Sequence, residues 1–198
     1  MKKLLLFITL VASTIGVYSQ STIFQENWDG QGPGLSAWTL YNVDGFTPVG
    51  PTGTDGEPLS FLVQDAWSQL TLAQITTATP GFTTYPTAAT GMANNIIASN
   101  SWYNPAQTAN DWLVSPPITI PASALGVSLK WAATSMGAAA FLEDYEVYVS
   151  PTGGSAVANF TTLLLDVNNE LSSGSYRNTS LQPYAGQTIR FAFRNKWC

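Results

Sequence analysis

The sequence predicts an all-β protein built as a two-sheet sandwich. Two observations carry this prediction. Short apolar runs recur along the chain, separated by clusters of Gly, Pro, Asn and Asp, and the clearest of them alternate apolar and polar residues with period two. Helix-period patterning is scarce and the turns are rich in proline.

In chain order, candidate strands fall at 23–26, 38–42, 60–67, 95–99 and 112–114. A second set falls at 127–133, 145–150, 161–167, 177–181 and 188–194. Trp38 and Trp112 lie inside apolar runs of the first set and read as core. The stretch 66–76 also fits a weak helix, with Leu70, Ala73 and Gln74 on one face, but its threonines and flanking aromatics favour a strand. In the second set, Val127-Ser128-Leu129-Lys130-Trp131 alternates. In Glu143-Asp144-Tyr145-Glu146-Val147-Tyr148-Val149-Ser150, Tyr145, Val147 and Val149 share one face, and Glu146, Tyr148 and Ser150 share the other. In Thr188-Ile189-Arg190-Phe191-Ala192-Phe193-Arg194 the pattern points Ile189, Phe191 and Phe193 inward and Arg190 and Arg194 outward. Residues 45–58 and 73–91 read as long loops, the second nearly uncharged.

Composition narrows the chemistry. The 198 residues are 45% hydrophobic, 12% aromatic and 10% charged, against about 25% charged in an ordinary soluble domain. There is no histidine, which excludes His-based triads, imidazole bases and His-ligated zinc. The single cysteine, Cys198, excludes an intrachain disulfide and a cysteine zinc site. A net charge of −5 gives no electrostatic reason to bind nucleic acid or anionic lipid.

Residues 1–19 read as a secretory signal peptide. Lys2 and Lys3 precede an apolar run from Leu4 to Val17, and Val17 and Ser19 sit three and one residues before a cleavage site that leaves Gln20 first. The apolar run is short for a membrane span, and no later segment is apolar enough to cross a bilayer. The mature domain is then 20–198, secreted or displayed at the cell surface.

Several segments, in order, resemble a known family. They are Phe24-Gln25-Glu26-Asn27-Trp28-Asp29-Gly30, Trp38-Thr39-Leu40-Tyr41-Asn42-Val43-Asp44-Gly45 and Ser99-Asn100-Ser101-Trp102-Tyr103-Asn104-Pro105-Ala106. Asn110-Asp111-Trp112-Leu113-Val114-Ser115-Pro116-Pro117-Ile118 follows, then Glu143 to Gly153, and finally Tyr184-Ala185-Gly186-Gln187 before the last alternating strand. The series resembles the cleaved-adhesin, or choice-of-anchor J, modules of secreted Bacteroidetes-type Gram-negative proteins, among them the haemagglutinin-adhesin modules of gingipains. The resemblance implies a jelly-roll β-sandwich similar to concanavalin-like and laminin-G modules. It implies a non-catalytic adhesin that binds an extracellular protein or glycan, or that supports a secreted peptidase or hydrolase as an accessory domain of a larger chain. It also implies structural calcium. Members continue into at least one more strand, so the chain reads as a C-terminally truncated jelly roll with an open edge and an uncovered core strip.

Calcium takes six to eight oxygens from carboxylates, amides and backbone carbonyls. Asn42-Val43-Asp44-Gly45 supplies two oxygen side chains two residues apart and a glycine for the turn. Glu26 and Asp29 are the other natural donors, followed by Asp111 and Glu143. The plain alternative is that Asp44-Gly45 is a turn and that Glu26 and Asp29 are solvated charges. Trp102 and Tyr103, in a Ser-Trp-Tyr-Asn-Pro turn, are candidate ligand-binding aromatics, with packing as the alternative. A third reading is a glycoside hydrolase of concanavalin-like fold. Glu143-Asp144-x-Glu146 superficially resembles its acid pair, with Asp144 and Glu146 on one strand face.

Overall fold

The computed structural model describes residues 20–48, 63, 65–71, 73–74, 95–135, 142–171 and 173–196. The signal peptide, residues 60–62 of a candidate strand, most of both long loops and Cys198 lie outside the described residues.

The described residues form an all-β, sandwich-like structure of ten antiparallel strands, with three single-turn 3-10 segments and no long helix. The strands are β1 (Thr39–Asn42), β2 (Ser68–Thr71), β3 (Asn95–Ala98), β4 (Asp111–Val114) and β5 (Ile118–Thr119), then β6 (Ser128–Ala133), β7 (Tyr145–Ser150), β8 (Thr162–Val167), β9 (Ser175–Ser180) and β10 (Thr188–Asn195). One layer is a six-stranded sheet in the order β1-β4-β10-β7-β8, with β5 also on β10. The other layer comes as two separate ribbons, β2-β3 and β6-β9.

Alternation along β10 sets the core. Ile189 and Phe191 are 0% and 3% exposed, and Phe191 packs edge-on against Trp38 at 5.6 Å between ring centroids. Trp38, Leu113, Ile118 and Phe191 form the centre of this core, which Ile97 from one ribbon and Leu129 from the other help to cover. The opposite face of the same sheet is also apolar. Trp112, Val114 and Ala192 are buried there under Phe160, which follows the 3-10 turn Val157–Asn159 between β7 and β8. Arg194 lies on this face with its guanidinium 5.6 Å from the centroid of the Trp112 ring.

β4 and β5 lie along one edge of β10, interrupted at Ser115-Pro116-Pro117. The prolines have no N–H to give to a ladder. Ser115 bridges the interruption: its N–H donates to the Phe191 carbonyl, and its hydroxyl accepts from the Phe191 N–H at 3.0 Å. β8 carries one extra residue opposite Val147 and Tyr148, where the register passes from Leu165 to Leu163.

Most expected strands form within a residue or two of their predicted bounds. The strand expected at 23–26 does not form. This segment lies outside any ladder: Phe24 packs against both Trp38 and Phe191, and the Glu26 carboxylate caps a local turn. Within 66–76 a strand forms at Ser68–Thr71 and residues 73–74 are helical; the strand expected at 60–67 does not form in its described residues, 63 and 65–67. β5 was not anticipated, because two residues after a proline pair carry no periodicity.

Candidate functional site

Three strands end side by side. Asn42 of β1 and Asn195 of β10 both pair with Asp111 at the start of β4, so the three residues line one edge of the sheet. Beyond β1 the chain turns through Val43-Asp44-Gly45. The Asn42 side chain accepts from the Gly45 N–H and donates to the Phe46 carbonyl at 2.6 Å. Gly45 sits at φ +74°, a conformation that favours glycine. Asp44 accepts from the Phe46 N–H at 2.8 Å and, through its other oxygen, from the Asn110 N–H. This carboxylate therefore ties the turn to the entry of β4.

Tyr103 comes down from the loop before β4. It is buried, its ring packs 5.4 Å from that of Phe46, and its hydroxyl donates to Asp111 Oδ2 at 3.2 Å. Asp111 is 1% exposed, and its Oδ1 has no hydrogen-bond partner. Burial pushes the Asp111 carboxyl up to about 7; the Asp44 charge adds to the rise, and the Tyr103 hydroxyl opposes it. Burial also raises the Tyr103 phenol, helped by Asp111 and Asp44. The same loop is held elsewhere: Ser101 donates to Glu143 at 3.1 Å, and Asn195 donates to the Ser99 hydroxyl at 2.9 Å.

The six predicted metal ligands thus divide. Asn42, Asp44 and Asp111 come together, with Glu143 in reach of the same loop. Glu26 does not join them. Its carboxylate accepts from the N–H groups of Trp28 and Gly34 and from Trp38 Nε1, at the opposite end of β1. Trp38 and Asn42 stand four residues apart, about 13 Å along a strand. Asp29 follows the same turn, its N–H bonded to Asn27 Oδ1. Glu26 is neither a ligand of the Asp44 site nor a solvated charge; it organises the turn in which Trp28 adopts φ +63°. Trp102 is half-buried, and its N–H is held by Asn100 Oδ1. Its neighbour Tyr103 is turned inward onto Asp111.

The carboxylates suggested for hydrolysis are engaged elsewhere. Asp144 accepts from the Asn169 N–H at 2.6 Å, and Glu146 is ion-paired with Arg194 at 2.9 Å and with Lys196 at 3.7 Å. The carboxyl near neutrality, Asp111, is buried and bonded to the Tyr103 hydroxyl.

The sequence reading missed Glu170. It is 1% exposed and receives Arg177 Nε at 2.7 Å, Arg177 Nη2 at 3.0 Å, the Ser175 hydroxyl at 2.7 Å, the Tyr145 hydroxyl at 2.9 Å and the Leu171 N–H at 2.9 Å. Trp131 Nε1 donates in turn to the Tyr145 oxygen at 3.0 Å. Burial pushes the Glu170 carboxyl up, but the bonds from Arg177, Ser175, Tyr145 and Leu171 outweigh it, and the net shift is downward.

A cation at Asp111 and Asp44 would supply the charge that the orphaned oxygen lacks. The fit is partial. Among the described residues no group of three or more Asp, Glu, Cys or His side chains is placed to hold a metal ion. Two carboxylates with carbonyl and water oxygens make a low-charge calcium site, which belongs at the weak end of the extracellular range.

A family model described as Cleaved Adhesin Domain matches residues 71–197, nearly two thirds of the chain. That span holds Tyr103, Asp111, Glu143 and Glu170 and leaves out Asp44. No curated protein and no solved structure gives a significant match.

Proposed function

Because the chain belongs to the cleaved-adhesin family, we propose that it is a secreted, non-catalytic binding module that recognises an extracellular protein or glycan. The observation that carries this reading is the family match itself, which covers the last residue of β2 through β10 and the loop that bears Trp102 and Tyr103. The recognition surface is the sheet end around that loop. Val43 and Phe46 are exposed beside Asp44, and half-buried Trp102 immediately precedes Tyr103, whose ring packs on Phe46. Low charge and many hydroxyl and amide side chains suit a neutral ligand. Calcium between Asp111 and Asp44 would order the turn and hold the surface in shape. The leader at 1–19 exports the chain. Among the described residues no helix is long and apolar enough to cross a membrane.

Arrays of glycans and matrix proteins, probed with the full chain in millimolar calcium, test the proposal. The expected result is selective binding that weakens about tenfold in Trp102→Ala, the loss typical of an aromatic anchor. Silence on both arrays, or cleavage of an arrayed glycan, overturns it.

A further inference from the structure

Five of the chain's seven tryptophans border one cavity of about 1110 Å³: Trp28, Trp38, Trp67, Trp102 and Trp131. Residues 20–26 form part of its wall, with Phe24 on Phe191 and Trp28 on Trp38 at 6.1 and 5.1 Å between ring centroids. The volume is what remains beside that wall. Trp38 is buried, but Trp28, Trp67, Trp102 and Trp131 are only half-buried, so each keeps part of its ring uncovered. Trp28 holds φ +63°, a conformation that non-glycine residues rarely adopt. It is gripped from both sides. Glu26 accepts from its N–H, and Gln69 and Asn95 donate to its carbonyl at 2.8 and 3.0 Å.

Two donors in this wall have no acceptor. Trp38, Trp112 and Trp131 give their indole N–H groups to Glu26, Asn110 and the Tyr145 oxygen. Trp67 Nε1 and Asn100 Nδ2 are buried without a partner. An unmet buried donor is costly and calls for an explanation. The two lie together. The Ser99 hydroxyl donates to the Ala66 carbonyl, which puts 66–67 beside 99–100 at one end of the β2-β3 ribbon. Asn195 donates to the same Ser99 hydroxyl, so this is the end of the sheet that carries Asp111. The loop between β3 and β4 thus serves two places: Trp102 borders the cavity, and Tyr103 turns onto Asp111.

We infer that this cavity binds an uncharged oligosaccharide, whose C–H faces lie on the half-buried indoles and whose oxygens accept from Trp67 Nε1 and Asn100 Nδ2. The inference rests on the recognition role proposed above and names its ligand class and its seat. Both donors are covered, so binding includes a small rotation of these two side chains toward the sugar. A purely apolar ligand would cover the rings and leave both donors unmet. Nothing in the wall calls for charge. Its carboxylates are engaged: Glu26 by the Trp28 and Gly34 N–H groups, Glu143 by Ser101, Asp144 by the Asn169 N–H and Glu170 by Arg177. Lys130 is exposed, and a net charge of −5 repels an anion. The volume lies just above the usual range of about 300–1000 Å³ for ligand pockets, which suits several rings rather than one.

The test titrates the full chain with neutral gluco-, manno- and galacto-tetraoses and N-acetylchitotetraose, with tetragalacturonate as the charged comparison. Indole N–H signals are followed by NMR. Expected is binding of at least one neutral tetrasaccharide that moves the Trp67 signal. Affinity should fall about tenfold in Trp67→Phe, which keeps a ring and removes the N–H. It should fall likewise in Asn100→Asp, which keeps the Oδ1 that holds the Trp102 N–H and loses the donor. Four results overturn the inference: no neutral tetrasaccharide binding at millimolar concentration, binding that leaves the Trp67 signal in place, unchanged affinity in both variants, or tetragalacturonate binding as tightly. Selective binding of an arrayed matrix protein without tetrasaccharide binding overturns this inference and leaves the recognition role standing. Binding with cleavage keeps the site and overturns the non-catalytic reading.

Discussion

Asp111→Asn is expected to stabilise the protein at pH 8 in calcium-free buffer. The parent chain holds a carboxyl whose folded value, about 7, lies far above its ordinary 3.8. Between those two values the folded state keeps a proton that the unfolded chain has released. Stability therefore falls as pH rises from about 4 to 7, by on the order of 2–4 kcal/mol, and stays low above that range. The asparagine variant has no charge to bury beside Asp44, and Tyr103 can still donate to its carbonyl oxygen. One amide N–H group then takes the place of the orphaned Oδ1, and an unmet donor returns part of the gain. The net expectation is about 1–2 kcal/mol by urea unfolding at pH 8, and no gain at pH 4. Calcium should raise the melting temperature of the parent chain and leave the variant unmoved, since a cation does for the carboxylate what the substitution does. A variant less stable than the parent at pH 8 contradicts the assignment.

Glu170→Ala is expected to be the most damaging single substitution in the described structure. The Glu170 carboxylate joins β7 through Tyr145 to β9 through Ser175 and Arg177, and Trp131 of β6 attaches through Tyr145. Removing it leaves a guanidinium only 27% exposed and a half-buried phenol without their acceptor. Loss of one partner from a buried ion pair costs about 3–5 kcal/mol, and the unfolding midpoint in urea should fall accordingly. Amide exchange in β6 and β9 should accelerate before that in β4 or β10. Glu170→Gln, which keeps the shape and loses the charge, should cost less. The pH dependence has the opposite sign to that of Asp111. The folded Glu170 carboxyl lies below its ordinary value, so its contribution is complete above about pH 4.5 and is lost as acid protonates it. A parent chain without calcium should accordingly be most stable near pH 4, where the folded Glu170 is still ionised and the loss from Asp111 is only beginning.

The strands were legible where alternation is strong. In β7 and β10 the inward residues fall where period two puts them, because one face packs on the core and any slip of register would expose Phe191 and Val149. At 23–26 the apolar look of Ile23-Phe24 misled. A single aromatic can fill the core without any ladder, and composition does not say which. The site was half legible. Asn42, Asp44 and Asp111 were singled out by residue type, and their meeting follows from the pairing of β1 with β4, a long-range register that no local pattern encodes. Glu26 misled because a carboxylate that caps backbone N–H groups looks, in sequence, like one that binds metal. Glu170 had no sequence signal, since its partners lie one, five, seven and twenty-five residues away and on three different segments.

The most direct test of the buried carboxyl at the heart of this account is a carbon-13 titration of the Asp111 side chain by NMR, assigned by comparison with Asp111→Asn. Without calcium the resonance should titrate near pH 7, and with saturating calcium its midpoint should fall by several pH units as the cation replaces the proton. A midpoint near 4 in calcium-free buffer would contradict the account.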